Sequence, residues 1–200
     1  MTSNRRTFLK GSACGIASLA ASPLFAAAAR TTSQTALGDR IRVIAGVPGN
    51  VVVLKGPDGL VLVDSGSAEL APSLLKALGG ERVRTLVNTH YHADQTGGNA
   101  LFAKAGAEIR AQTITKQWLA ADYWSPSLDR WIKAPPKEAV PAVTFRERGG
   151  FTSGAEHVEY GYLLEAHTRG DAYVYFRDSN VLAVGDVASP LRDPVHDWFA

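Results

Sequence analysis

Cysteine is almost missing from this 200-residue chain: Cys14 stands alone, so no internal disulfide can form and a cystine-stapled scaffold is excluded. Glycine (19) and proline (10) are too sparse for a collagen-like or low-complexity sequence. Neither sign of charge dominates. The formal net charge is +2, and Arg5, Arg6 and Lys10, with no acid among the first 28 residues, more than account for it. The near-neutral remainder gives no electrostatic case for nucleic acid or an anionic membrane as partner. A long hydrophobic run is also lacking, because Lys10 to Ala29 is too short and too rich in Ala, Gly and Ser to match a span of about 20 strongly apolar residues. What remains, 46% hydrophobic and 20% charged, is the composition of one globular domain.

Residues 1–28 have a basic head, a weakly apolar middle and a small-residue exit, the layout of a cleaved export signal. Arg5-Arg6-Thr7-Phe8-Leu9-Lys10 closely resembles the twin-arginine export signal. The resemblance implies transport of an already folded protein across a bacterial inner membrane to the periplasm, with no stable membrane anchor after cleavage. Cys14 leaves with the signal, so no thiol chemistry is expected of the mature chain. Residues 29–39 read as a linker and 40–200 as the domain.

Within that domain the first half alternates strands and helices. Ile41–Ala45 and Val51–Lys55 are β-branched runs, and Gly56-Pro57-Asp58-Gly59 turns the second into Leu60–Asp64 as a hairpin. Leu70, Leu74, Leu75 and Leu78 are spaced for a helix over 68–78 that stops at Gly79-Gly80. Thr85–Asn88 reads as a strand, Asn99–Ala105 as a short helix and Glu108–Ala111 as a strand. The stretch from Gln112 to Trp131 reads as helical, and the prolines that follow it mark a long surface connection. Strands then dominate: 143–145, 157–160, 162–166, 172–176 and 181–184. The two halves thus each supply a strand bundle, as a two-sheet sandwich requires.

The chemistry concentrates in Asn88-Thr89-His90-Tyr91-His92-Ala93-Asp94-Gln95-Thr96-Gly97-Gly98. In extended chain, residues i, i+2 and i+4 point to one side, so His90, His92 and Asp94 converge on one point. Imidazole nitrogens and a carboxylate suit a borderline divalent cation; without cysteine the expected site is zinc in N/O coordination, left open for water. Thr96 or Asp94 is expected to cap free amides at the following helix start.

In this pattern the sequence resembles the metallo-β-lactamase fold superfamily across roughly residues 40–190. Four landmarks in order carry the likeness: Asp64-Ser65-Gly66, His90-x-His92-x-Asp94, a lone His167 at a strand end, and Gly185-Asp186 at another. The resemblance implies an α+β fold, a four-layer αβ/βα sandwich. It implies that His90, His92 and His167 hold one zinc, that Asp94 and Asp186 hold a second, and that Asp64 supports ligand orientation from behind. Asp171 is read as capping the turn after His167. His157 and His196 carry no strong signal, although His196 is a weak replacement ligand, and the aromatic residues of 118–131 are assigned no role.

Two departures bear on the metal count. Where many members have a histidine after the motif aspartate, this chain has Gln95, which binds zinc poorly. The family also supplies a last histidine well beyond the Gly-Asp landmark, whereas this sequence stops at Asp197-Trp198-Phe199-Ala200; a C-terminally incomplete copy is expected. One or two zinc ions are therefore open. A zinc held by three imidazoles lowers the pKa of bound water from about 15.7 to near 7. Asp94 is placed to orient the resulting hydroxide or carry its proton. The expected reaction is hydrolysis of an ester, thioester, amide or lactam in a small-molecule substrate. Two other classes stay open: an iron-dependent sulfur oxidoreductase on the same scaffold, and a non-catalytic exported metal-binding protein.

Overall fold

The computed structural model describes residues 32–125 and 128–188. The export-signal reading of residues 1–28, the terminus at 197–200 and His196 lie outside the described residues. The elements in chain order are β1 (Ser33–Ala36), β2 (Ile41–Ala45), β3 (Val51–Gly56), β4 (Gly59–Val63), α1 (Ala71–Ala77), β5 (Val83–Val87), α2 (Ala93–Thr96), α3 (Asn99–Lys104), β6 (Glu108–Gln112), α4 (Thr113–Leu119), β7 (Tyr123–Ser125), β8 (Arg130–Ile132), β9 (Val143–Phe145), β10 (Arg148–Ser153), β11 (Glu156–Tyr162), β12 (Ala172–Phe176) and β13 (Val181–Ala183). Short 3₁₀ turns cover Lys137–Ala139 and Gly185–Val187.

A seven-stranded sheet runs β1-β2-β3-β4-β5-β6-β9, and a four-stranded sheet runs β10-β11-β12-β13. Alternation along the strands explains the layering. In β4, Leu60 and Leu62 face one way and join Leu74, Leu78 and Phe102 of the helical layer, while Val61 and Val63 face the other way and meet Val158, Val174 and Phe176 of the smaller sheet. The larger sheet is therefore buried on both faces, between α1 and α3 on one side and the second sheet on the other. The pairings β4–β5, β5–β6 and β6–β9 are parallel. Their carboxyl ends thus share one edge, the usual place for a site in a parallel sheet.

Four readings from the sequence are corrected. Part of the expected linker is a strand, since β1 pairs with β2 at the sheet edge through Ser33↔Ala45 to Ala36↔Arg42. The helical stretch expected over 112–131 is helical only in α4; the chain then forms the β7–β8 hairpin, where Trp124 and Trp131 face each other with ring centroids 6.0 Å apart. Residues 157–162 form one strand rather than two, because Gly161 keeps its pairing with Tyr173, and 163–166 are turn. Strand β10 was not foreseen, its Gly149 and Gly150 masking a period-two pattern.

Candidate metal centre

Strand β5 ends at Val87, and the five residues before α2 turn over the sheet edge between the two sheets. Asp64, directly after β4, sits beside them in left-handed conformation (φ 65°), and its backbone N–H donates to Val87 O at 2.9 Å. The start of β12 is tied to the same loop, Ala172 N–H donating to Thr89 O at 2.8 Å. That bond brings the 163–171 turn, and with it His167, against the loop of the larger sheet.

His90, His92 and His167 meet there. His92 Nδ1 lies 3.1 Å from His90 Nε2 and 3.2 Å from His167 Nε2. The ligating atoms of all three lie within 4.8 Å of one another. The rings stand nearly perpendicular in pairs, at 79°, 90° and 86°. Nitrogens bound at 2.0–2.1 Å to a tetrahedral zinc are roughly 3.3–3.4 Å apart, so the two short separations match ligand edges of such a site. Burial, and then the neighbouring His92 and His167, hold the His90 imidazole well below its ordinary value. It is therefore neutral, the form that ligates a metal. The three-imidazole donor set fits a divalent cation.

Two of the three, His90 and His167, are braced from behind. Asp64, 2% exposed, accepts from Thr89 N–H at 2.8 Å and from the Thr89 hydroxyl at 2.7 Å, and that hydroxyl lies 3.1 Å from His90 Nδ1. Burial pushes the Asp64 carboxyl up to about 8 against those two bonds, with the charges of Asp186 and Asp94 adding to the rise. Asp171 accepts from His167 N–H at 2.5 Å and Thr168 N–H at 2.7 Å, and from the Thr168 hydroxyl at 2.7 Å. It pins the turn that presents His167, as read from the sequence. The far side of that turn rests on α4, where the Thr115 hydroxyl donates to Gly170 O at 2.7 Å.

The two remaining candidates, Asp94 and Asp186, are not part of that group of three. Among the described residues the gathering of three holds histidines alone. Asp94 is half-buried in the first turn of α2, and Asp186 lies in the 3₁₀ turn after β13, where its Oδ1 accepts from Gln95 Nε2 at 2.9 Å. Neither Asp94 nor Thr96 caps α2, which has no side-chain cap. The Thr96 hydroxyl instead donates to the carbonyls of Tyr91 and His92, at 3.2 and 3.0 Å, tightening the loop from its C-terminal side. Sequence reasoning passed over Thr89, which has no signal beyond standing next to His90. It also passed over the reason for Gly185: with φ at 56°, a Cβ there would stand 2.4 Å from Thr89 Oγ1. Only glycine lets β13 exit so close to the ligand loop.

The sequence profile of the metallo-beta-lactamase superfamily matches residues 44–199, and the chain belongs to that family. Among solved structures, a metallo-beta-lactamase from Pontibacter korlensis is similar at 21% identity with a TM-score of 0.61, over 76% of this chain and 69% of that one. One from Cronobacter sakazakii described by a HARLDQ motif is similar at 22% identity with a TM-score of 0.65, over 84% and 68%. MIM-1 from Novosphingobium pentaromativorans is similar at 24% identity with a TM-score of 0.60, over 82% and 64%. At these identities the likeness establishes the fold, the mixed α+β sandwich described above.

Proposed function

We propose that this chain is an exported, zinc-dependent hydrolase acting on an ester, thioester, amide or lactam bond of a small molecule. The single observation that carries the reading is the gathering of three imidazoles, two after β5 and one before β12, with His90 Nε2 and His167 Nε2 lying 3.1 and 3.2 Å from His92 Nδ1. Three histidine nitrogens gathered this closely are a donor set that a cation can use. His90, His92 and His167 would hold it. When bound, a divalent cation supplies Lewis acidity toward a carbonyl oxygen and lowers the pKa of water.

The chain's own groups do the rest. Asp64 and Thr89 orient His90, and Asp171 orients His167, so the donors are fixed before substrate arrives. Asp94, half-buried in the first turn of α2, is the carboxylate assigned to accept a proton and pass it to the leaving group. Tyr91 touches the His92 ring edge-on at 4.7 Å and stacks on Trp118 at 5.2 Å. Trp118 in turn lines a cavity of about 420 Å³ with Ile114, Tyr123 and Arg169.

The test is His90→Ala in the full chain. Both bound metal and hydrolysis across an ester, thioester and lactam panel should be lost; undiminished hydrolysis by this variant would rule out the mechanism.

A further inference from the structure

The resemblance implies a second cation on Asp94 and Asp186, and the residues present do not fit it. Gln95 occupies the position where that ion would need a donor. Its side chain is buried (2% exposed), and its Nε2 donates to Asp186 Oδ1 at 2.9 Å. An amide nitrogen offers two N–H donors and no lone pair to a cation. Turning the amide over would set its carbonyl oxygen against the Asp186 carboxylate, two acceptors facing each other at hydrogen-bond distance.

The backbone of Gln95 is also held where it is. Its own backbone carbonyl accepts from Ser65 N–H at 2.7 Å and from the Ser65 hydroxyl at 3.0 Å. Above it lies Gly49 of the β2–β3 loop, with φ at 80°. A Cβ at Gly49 would stand 2.6 Å from Gln95 Oε1 and 2.7 Å from Nε2. The loop thus closes on the Gln95 side chain from one side while Asp186 receives its proton on the other. Among the described residues, two carboxylates without an imidazole remain as donors for a second ion, a poor set for zinc beside a neighbouring three-imidazole site.

We propose that the centre holds one cation, on His90, His92 and His167, and that the second-ion position is closed by the Gln95–Asp186 hydrogen bond seated beneath Gly49. Asp186 then serves as a positioning residue that ties the turn after β13 to α2. This rests on the three-imidazole reading above, and the metal count separates the two.

The experiment measures bound zinc per chain by elemental analysis and competition titration on the full chain, with Gln95→His and Gln95→Glu as variants. Gln95→Glu keeps the side chain's shape, removes its N–H donors and adds a carboxylate, so it serves if the histidine variant does not fold. Wild type should take one equivalent, and the folded variants two. The second equivalent should bind roughly 10–100-fold more tightly in the variants than in wild type, the range over which one coordinating or supporting group changes metal affinity. Two tight equivalents in wild type, or folded variants that both remain at one, would overturn this inference and leave the three-imidazole site standing. No zinc in wild type would overturn both.

Discussion

The Thr89 hydroxyl has one proton and two polar neighbours, Asp64 Oδ2 at 2.7 Å and His90 Nδ1 at 3.1 Å. With Asp64 ionised, that proton goes to the carboxylate, the hydroxyl oxygen accepts from His90 Nδ1–H, and Nε2 keeps its lone pair for a cation. With Asp64 protonated the donors run the other way and Nε2 carries the hydrogen. Burial, which pushes Asp64 up to about 8, favours the second arrangement in metal-free protein at neutral pH, whereas a bound cation favours the first. Cation uptake at pH 7 should therefore expel about one proton from this relay. Calorimetric titration in buffers of different ionisation enthalpy reads the number, and Asp64→Asn should remove that proton from the count.

The same two groups give the metal-free protein a pH signature. His90 is lowered in the folded state, so its contribution is complete above its ordinary value of 6.5 and is lost as the pH falls below it, where the unfolded chain binds the proton first. Asp64 is raised from 3.8 to about 8, so its contribution is complete below 3.8 and is lost as the pH rises toward 8. The two oppose each other just below 6.5, and Asp64 acts alone from there to about 8. Denaturant midpoints of metal-free protein should accordingly decline between pH 6.5 and 8, and Asp64→Asn should flatten that decline. An unchanged slope in the variant would show that Asp64 is not its source.

Among the elements, the turn between β11 and β12 depends on one carboxylate. Asp171 is 2% exposed and satisfies two backbone N–H groups and a hydroxyl. Asp171→Ala should cost about 2–5 kcal/mol, since a charged acceptor is worth more than a neutral one and its donors stay buried. It should also weaken zinc binding by roughly 10–100-fold through loss of orientation at His167. Chemical denaturation and competition titration check the two parts.

How much could be seen beforehand follows from how local each signal is. The β3–β4 hairpin was legible because Gly-Pro-Asp-Gly and its apolar flanks are neighbours in sequence, and His90 and His92 because their spacing of two is a strand's own period. The β7–β8 hairpin was not: Trp118, Leu119, Trp124 and Trp131 mimic a helical stripe, and only cross-strand contact shows that two of them pair. Strand β1 reads as polar linker because all four of its residues are exposed at an edge, where no alternation is required. Thr89 and the partnership of Gln95 with Asp186 depend on contacts 25 and 91 residues apart, beyond any local pattern.

At the scale of the whole molecule, helices cover one face of the larger sheet and the smaller sheet covers the other, and the site opens where both sheets end. No helix among the described residues is long and apolar enough to cross a membrane. If the twin-arginine reading of residues 1–28 holds, replacing Arg5 and Arg6 together by lysine should abolish export, seen as uncleaved precursor retained inside the cell; normal processing would refute it.

His92 and His167 belong to different sheets and are 75 residues apart in sequence. A zinc ion gripping both acts as a cross-link across that span, and for a permanent link of this loop length the chain-entropy relation gives about 4 kcal/mol. Chelation should then loosen both sheets together, so that limited proteolysis after metal removal cuts within each of them at the same rate instead of nibbling at one. On the proposed function the ion would be a rivet as well as a reagent.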